Sequence, residues 1–261
     1  VMPTGAGKTR LFVEVVALRL ARAPRALVVV HRVELLRQAA ERLGERVGAE
    51  HVGLIAPGAR PRPSAPVQVG TVQTLLARDL PPADTVVLDE CHHYAPGSPE
   101  WASVLGHYGQ ALLLGVTATP ERSDGSPLGD VYGELIVGAH YSELLASGAL
   151  VPCVVLQPPD ALGSRGLALD PVEAYQRHGE GRTGFVFCRD IEHADSVAAQ
   201  LTAAGVPSAS VTAETPPDVR AARIAALASG ALRLLTSVQA LTEGVDVPSA
   251  SVCILARSPG H

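Results

Sequence analysis

Short apolar runs alternate with amphipathic stretches along this chain. The runs that predict strands are Ala26–Val30, Thr85–Leu88, Ala111–Val116, Cys153–Leu156, Gly184–Cys188, Leu232–Thr236 and Ser251–Leu255. Between them, stretches such as Glu34–Leu43 and Glu192–Ala204 carry Ala, Leu and Val at helical spacing. This alternation predicts an α/β fold whose mainly parallel sheets have helices on both faces.

A change in composition near residue 151 predicts a boundary between two domains. Within Ser142–Val151 we predict a helix that ends at Gly148, and the Pro-, Gly- and Ser-rich stretch Gln157–Gly166 follows this segment. Both halves follow the same alternating plan. We therefore expect residues 1–150 and 151–261 to form separate domains, with Ala56–Pro66 as a loop inside the first.

Composition and charge limit the classes of protein that remain. Hydrophobic residues make up 47% and charged residues 18%, which is typical of a globular protein with ample core material. Aromatic residues are only 3%, so Val, Leu and Ala must fill the core. The net charge of -5 argues against a histone-like or polybasic binder, and any basic groove for nucleic acid must be local.

The four cysteines and the lengths of the apolar runs indicate a reducing compartment. No two cysteines have C-x-x-C spacing, which argues against a zinc knuckle or a disulfide framework. Cys153, Cys188 and Cys253 lie in apolar runs, where cysteine serves as a small hydrophobic residue. No run approaches ~18 consecutive apolar residues. We expect a cytoplasmic protein without a membrane partner.

A glycine-rich segment, Pro3–Thr9, precedes the apolar stretch Leu11–Leu20, which is predicted to be a helix. Glycines let backbone N–H groups turn inward around phosphate oxygens, and the N-terminus of a helix favours negative charge. In this pattern the lysine reaches the β- and γ-phosphates, and the final hydroxyl binds Mg²⁺. The residues predicted to bind ATP are Thr4, Gly5, Ala6, Gly7, Lys8 and Thr9, with Thr9 as a Mg²⁺ ligand. The alternative is a glycine-rich turn before a core helix.

A second motif follows the apolar run Val86–Leu88, which ends in two adjacent acids. A carboxylate at the end of a strand can hold Mg²⁺, and we predict this role for Asp89. Glu90 can polarise the attacking water as a general base. The alternative is a pair of solvated acids at the start of a loop. Metal binding by Cys91–His93 is disfavoured because no second ligand cluster has suitable spacing.

The sequence D-E-C-H at Asp89–His92 resembles the D-E-x-H box of superfamily-two helicases of the DEAD/DEAH-box type. Other stretches resemble motifs of that family in the same order. They are Leu27–Leu36 (motif Ia), Val69–Leu75 (Ib), Val116–Pro120 (III, with Glu121–Gly125 after it), Phe185–Arg189 (IV) and Leu241–Pro248 (V). The ordered set spans nearly the whole chain and is most similar to the restriction-type and DNA-repair branch.

The resemblance implies a fold and an activity. The implied fold has two RecA-like domains of the P-loop NTPase type, the second incomplete, with ATP and Mg²⁺ in the cleft between them. The implied activity is that of an ATP-dependent helicase or translocase that moves along DNA, with Lys8, Asp89 and Glu90 as catalytic residues. DNA is preferred over RNA because of the branch that the sequence resembles.

The resemblance also implies roles for eight further residues. Those implied to couple hydrolysis to domain movement are His92, Thr117 and Thr119. Those implied to face nucleic-acid phosphates are Arg32, Thr71 and Gln73, and those implied to approach the nucleotide are Gly244 and Asp246. The alternatives are structural: a threonine-containing strand end, polar loop residues and a turn glycine.

Two patterns of the family do not appear in the sequence: an upstream glutamine segment that reads adenine and a downstream motif VI with its arginines. We therefore interpret the chain as a fragment and expect it to bind ATP better than it hydrolyses it, since an arginine finger contributes ~10³–10⁵ in rate.

Other functions remain open. They are a translocase subunit that serves a fused or partner nuclease, an RNA helicase, a small-molecule kinase and a nucleic-acid-binding module with an inactive ATP site. A kinase leaves Val116–Pro120 and Leu241–Pro248 unexplained. The intact Lys8 and Asp89 argue against an inactive site.

Overall fold

The computed structural model describes residues 1–94, 97–122, 125–156, 169–238, 241, 245 and 247–256. The chain divides into two compact units, Val1–Cys153 and Val154–His261. Each unit has its own parallel β-sheet and its own hydrophobic core. None of the helices in the described part of the chain is long and apolar enough to cross a membrane.

The first unit contains a five-stranded parallel sheet among its described residues, in the order β2-β3-β1-β4-β5. The strands are β1 (Ala26–Val30), β2 (Val52–Ile55), β3 (Val67–Thr71), β4 (Thr85–Asp89) and β5 (Leu112–Val116). The helices are α1 (Lys8–Leu20), α2 (Val33–Val47), α3 (Val72–Leu76), α4 (Pro99–His107) and α5 (Tyr141–Ala146). Single 3₁₀ turns occur at Ala49–His51, Cys91–His93 and Leu128–Asp130.

Two hydrophobic clusters cover the two faces of this sheet. Successive side chains of a strand point to opposite faces, so Val28 of β1 joins one cluster and Val29 joins the other. The first cluster contains Phe12 of α1 and Leu36 of α2. The second contains residues of α3 and α4, including Trp101. Helices α1 and α2 therefore lie on one face, and α3 and α4 lie on the other.

The second unit contains a four-stranded parallel sheet in the part that the structure describes, in the order β7-β8-β6-β9. The strands are β6 (Thr183–Cys188), β7 (Ser208–Ser210), β8 (Leu234–Ser237) and β9 (Ala250–Ala256). The helices are α6 (Pro171–His178), α7 (Ile191–Ala203) and α8 (Pro217–Ala228). Leu201 of α7 and Leu227 of α8 belong to separate clusters, which again cover opposite sheet faces.

Several helices begin at a capping side chain that the sequence supplies. Ser98 accepts a hydrogen bond from the N–H of Trp101 at the start of α4. Asp190 accepts one from the N–H of His193 in α7, and Asp170 accepts two at the start of α6. These oxygens satisfy N–H groups that have no partner within the helix. The start of α1 differs, as described below.

The predicted α/β fold with parallel sheets is confirmed, but two details of the sequence interpretation are wrong. Cys153–Leu156 is not a strand: it pairs with no strand in the described part of the chain, and Val154 and Val155 are 79% and 81% exposed. Cys153 and Cys253 are exposed rather than packed in a core, whereas Cys188 is buried. Apolar composition was therefore an insufficient guide, because burial requires a neighbouring strand or helix.

The close approach of β9 to β6 generates a prediction about Gly184. A β-carbon at this position would overlap with the carbonyl oxygen of Val252, and backbone cannot easily move away. We expect Gly184→Ala to lower the free energy of unfolding by about 1–3 kcal/mol, measured by urea denaturation. The matched control is Gly106→Ala in α4, where an added β-carbon meets no atom within 4 Å. Equal destabilisation by both changes would contradict this explanation.

Candidate functional site

The carboxyl ends of four neighbouring strands bring the sequence motifs of the first unit to one edge of its sheet. The register pairs Val30 of β1 with Thr71 of β3, and Asp89 of β4 with Val116 of β5. The segments that follow these strand ends are His31–Arg32, Val72–Gln73, Glu90–His93 and Thr117–Thr119. In open α/β sheets, ligands bind at this edge.

The glycine-rich loop leads into a helix terminus that lacks a capping side chain. Gly5 and Gly7 have φ angles of 81° and 88°, in the left-handed region that glycine adopts without strain. Gly7 is the residue before α1 and, as a glycine, has no side chain that could cap this helix. The N–H of Met2 donates to the carbonyl oxygen of Thr117 (3.0 Å), which holds the loop beside β5. The loop and the uncapped helix terminus fit a phosphate group.

Lys8, the first residue of α1, lies against the acids at the end of β4. Its Nζ is 3.5 Å from Oε1 of Glu90, and the Lys8 side chain is only 11% exposed. Glu90 has a φ angle of 47°, an uncommon conformation for a residue with a side chain. This conformation turns the chain from β4 into the 3₁₀ turn Cys91–His93. The predicted phosphate-binding lysine and the predicted general base therefore share one location.

Asp89 is a buried carboxylate at the same place. It is 7% exposed and accepts a hydrogen bond from the N–H of Glu90 (3.1 Å). Burial, followed by the charge of Glu90, raises the pKa of Asp89 to about 6, and Lys8 acts in the opposite direction. A bound cation would favour the ionised form of this buried carboxylate.

These donors suit Mg²⁺ that is bound together with phosphate oxygens, rather than a metal ion held by protein side chains alone. Among the described residues, no group of three or more His, Cys, Asp or Glu side chains could hold a metal ion. Mg²⁺ is commonly bound through one or two carboxylates together with phosphate oxygens. Asp89 can supply the carboxylate, and Thr9 lies in the first turn of α1, directly after Lys8.

The three residues predicted to couple hydrolysis to movement form a connected chain. Nδ1 of His92 is 3.5 Å from Oε2 of Glu90 and 2.8 Å from Oγ1 of Thr117. The Thr117 hydroxyl donates to the carbonyl oxygen of Thr119 (3.0 Å) and accepts from its N–H (2.9 Å). Because the hydroxyl hydrogen is used in this way, His92 donates from Nδ1 to Thr117. This series of contacts connects the loop that carries Asp89 and Glu90 (the acid loop) with the segment after β5.

The residues predicted to face nucleic-acid phosphates differ in how accessible they are. Arg32 is the half-buried residue that precedes α2, and Gln73 is exposed on α3. Thr71 is 4% exposed, and its hydroxyl shares a hydrogen bond with Thr74 (2.9 Å). Arg32 and Gln73 therefore offer more side-chain surface to a ligand than Thr71 does. Gly244 and Asp246 lie outside the described residues.

Arg122 is a prominent residue of this region for which sequence reasoning gave no role. Its side chain is 3% exposed, and it forms a bidentate pair with both carboxylate oxygens of Asp130 (2.7 and 3.0 Å). It also donates to the carbonyl oxygen of Tyr94 (3.2 Å) and to the hydroxyl of Ser126 (3.2 Å). Arg122 thereby attaches the segment after β5 to the loop that carries Glu90. Its place directly after motif III was the available signal.

Comparison with protein families gives two matches, one in each unit. Residues 1–122 match the family described as "Type III restriction enzyme, res subunit". Residues 168–261 match the family described as "Helicase conserved C-terminal domain". The two matches follow one another along the chain.

Curated relatives are distant and longer than this chain. A 51.5 kDa protein of Lactococcus phage (isolate 7-9) is 26% identical over 276 residues, covering 98% of this chain and 58% of the phage protein. The protein irc3 of Schizosaccharomyces pombe, whose name describes a mitochondrial ATP-dependent helicase, is 24% identical over 284 residues, covering 95% of this chain and 46% of irc3. The chain thus spans about half the length of the curated relatives that it matches.

A solved structure supports the fold. Dbp5 of S. cerevisiae, in a structure with RNA and ADP BeF3, has a TM-score of 0.63 at 20% identity, covering 99% of this chain and 70% of Dbp5. Together with the two parallel sheets, this likeness confirms the prediction of two RecA-like domains.

The buried carboxylate of Asp89 generates a prediction about pH. The folded state binds a proton at Asp89 more readily than the unfolded state, so this residue reduces stability as pH rises from about 4 to about 6. We expect Asp89→Asn to raise the free energy of unfolding at pH 7 by about 1–3 kcal/mol, with no gain at pH 4. Urea denaturation at both pH values measures this. The control Asp79→Asn removes an exposed carboxylate and should not reproduce the pattern.

The Arg122 network generates a second prediction. Arg122→Ala should lower the free energy of unfolding by about 2–3 kcal/mol, because it leaves the buried carbonyl oxygen of Tyr94 without this donor and removes the pair with Asp130. Arg122→Lys should recover only part of this loss, since an ammonium cannot form the bidentate pair. The control Arg177→Ala breaks an exposed pair with Glu173 and should cost about 0.5 kcal/mol or less. Full recovery of stability in Arg122→Lys would contradict the bidentate role.

Proposed function

We propose that this chain, a superfamily-two helicase-like protein of the restriction and repair type, is the ATP-driven motor core of a protein that moves along DNA. One observation carries the proposal: Lys8 of the glycine-rich loop pairs with Glu90 of the D-E-C-H motif at the carboxyl edge of one parallel sheet. A phosphate-binding lysine and a candidate general base must share one site for ATP hydrolysis.

Different residues of the site have different roles in ATP hydrolysis. The loop Thr4–Thr9 and the N-terminus of α1 bind the phosphates, and Lys8 contributes its charge to the β- and γ-phosphates. Thr9 and Asp89 would hold Mg²⁺, whose charge would stabilise the negative charge that develops on the phosphates. Glu90 orients the attacking water and accepts its proton, while His92 lies beside it.

The hydrogen-bonded chain from Glu90 through His92 and Thr117 to Thr119 supports a coupling role for these residues. A change in the charge or position of Glu90 alters the contacts of His92, and His92 bonds directly to the hydroxyl that holds Thr119. We propose that this series of hydrogen bonds couples the state of the nucleotide to the position of the segment after β5. The roles of Gly244 and Asp246 near the nucleotide stay predictions.

Nucleic acid is proposed to bind through Arg32, which lies just after the end of β1, and Gln73, which lies just after the end of β3. Contacts of this kind reach the phosphate backbone, so binding should have little sequence preference and should weaken as salt is added. The choice of DNA over RNA is supported by the match of residues 1–122 to a restriction-enzyme subunit.

The same match favours a second candidate, in which the chain is the translocase part of a restriction nuclease. The motor residues would be identical in this case, and the nuclease would be fused to the chain or carried by a partner. Cleavage of DNA that requires both ATP and such a partner would distinguish this candidate from a helicase, which separates strands without cleavage.

ATP hydrolysis by variants of Lys8 and Glu90 tests the proposal. We expect Lys8→Ala to lower the ATPase rate by about 10²–10³-fold, because it removes a charge that contacts the phosphates. Glu90→Gln should lower the rate by about 10²–10⁴-fold while ATP still binds, because only proton transfer is lost. The control is Arg10→Ala, which removes an exposed cation from the same helix.

These rates should be measured with single-stranded DNA, duplex DNA and RNA, and ATP binding should be measured separately with a fluorescent ATP analogue. Full ATPase activity in Lys8→Ala would overturn the assignment of the glycine-rich loop. Stimulation by RNA but not by either form of DNA would replace DNA with RNA as the substrate.

A further inference from the structure

A surface cavity of about 650 Å³ opens at the carboxyl edge of the first sheet, on the face that carries α3 and α4. It lies between α3 and the aromatic pair Tyr94 and Trp101. The helix α1, which begins at Lys8, packs against the opposite face of the same sheet. The cavity is therefore separate from the glycine-rich loop, and Gln73 is the residue of its lining that already has a proposed role.

Half of the residues that line the cavity carry flat rings. The rings of Tyr94 and Trp101 are in contact, with 3.9 Å between their centroids, and only 4% and 6% of these two residues is exposed, so they form the base of the cavity. His93 is exposed and offers its ring to a ligand. The imidazoles of His31 and His93 form a second pair, with centroids 4.6 Å apart. Flat rings of this kind stack on nucleobases, and this stacking tolerates any base because every base has a π-face.

The remaining wall is formed by α3 and combines apolar and polar groups. Leu76 and Ala77 present exposed apolar surface, and Gln73 presents an exposed amide that can hydrogen bond to the edge of a base. No carboxylate is among the described residues that line the cavity. The lining therefore accepts a flat, partly polar group that is attached to a negatively charged backbone.

We propose that this cavity is a subsite for a nucleobase of a single-stranded nucleic acid. The proposal rests on the nucleic-acid binding proposed above, and it adds that the protein contacts bases as well as phosphates. Arg32 follows His31 directly, and Gln73 lies in the lining itself. A strand whose phosphate contacts Arg32 can place the neighbouring base at the opening, beside Gln73.

The cavity also adjoins the catalytic residues of the proposed ATPase. The ring of His93 lies 4.1 Å from the ring of His92, measured between centroids, and His92 lies beside Glu90. A base stacked on His93 therefore contacts a residue next to the acid loop. This arrangement gives single-stranded nucleic acid a short structural route to the general base.

Two oligonucleotides of equal length test the proposal: oligo-dT and an abasic strand that has the same phosphates but no bases. Fluorescence anisotropy measures their affinity for the full 261-residue chain, with and without a non-hydrolysable ATP analogue. We expect wild-type protein to bind oligo-dT about tenfold more tightly than the abasic strand, which is the size of one good stacking contact.

Ala77→Phe fills the cavity from its exposed rim, and this position has a φ angle of -83° that phenylalanine adopts readily. We expect this variant to lose the preference for oligo-dT while its affinity for the abasic strand is unchanged. The matched control is Ala102→Phe, which adds the same ring to an exposed position of α4 outside the lining. The control should keep the preference.

Trp101 provides a measurement that needs no substitution, because it is the single tryptophan of the chain. We expect oligo-dT to quench its fluorescence and the abasic strand to leave it unchanged. Equal affinity of wild-type protein for both strands, or a preference that persists in Ala77→Phe, would overturn the subsite and leave backbone binding intact. If neither strand binds, the proposed nucleic-acid function itself fails together with the subsite.

Discussion

The parallel arrangement of β1, β3, β4 and β5 is the constraint on which the candidate site depends. Parallel strands that neighbour one another end at one edge, so segments far apart in sequence are brought together without any special long-range contact. His92 follows β4 and Thr117 follows β5, and Nδ1 of His92 is 2.8 Å from Oγ1 of Thr117 although the two residues are 25 positions apart. If one of these strands were antiparallel, its motif would lie at the opposite edge.

The sequence predicted the elements that carry strong periodicity and the motifs that carry specific chemistry. The strands β1, β4 and β6 are apolar and buried, and their positions follow from their composition. It did not identify β7, which has the sequence Ser-Ala-Ser, because three small residues carry no periodic pattern. The false strand at Cys153–Leu156 shows the converse: an apolar run without a partner stays exposed.

Within the site, sequence reasoning identified residues but could not supply their contacts. The D-E-C-H motif indicated a pair of acids. Asp89 and Glu90 differ in how deeply they are buried, and burial depends on tertiary packing that the motif alone does not reveal. Thr71 was expected to face a ligand, but the strand β3 that it ends was not among the predicted strands. Its pairing with Thr74 was not predicted either, because it depends on the turn into α3.

The Arg122 network makes two distant pieces of chain behave as one cooperative unit. The guanidinium is bonded to Tyr94, just after the acid loop, and to Asp130, in the segment after β5. Neither piece can open to solvent without breaking hydrogen bonds that also hold the other. The free energy needed for local unfolding at either position therefore includes the contacts of both pieces. Fluctuations at the general base are thereby limited by a residue that is not part of the chemistry.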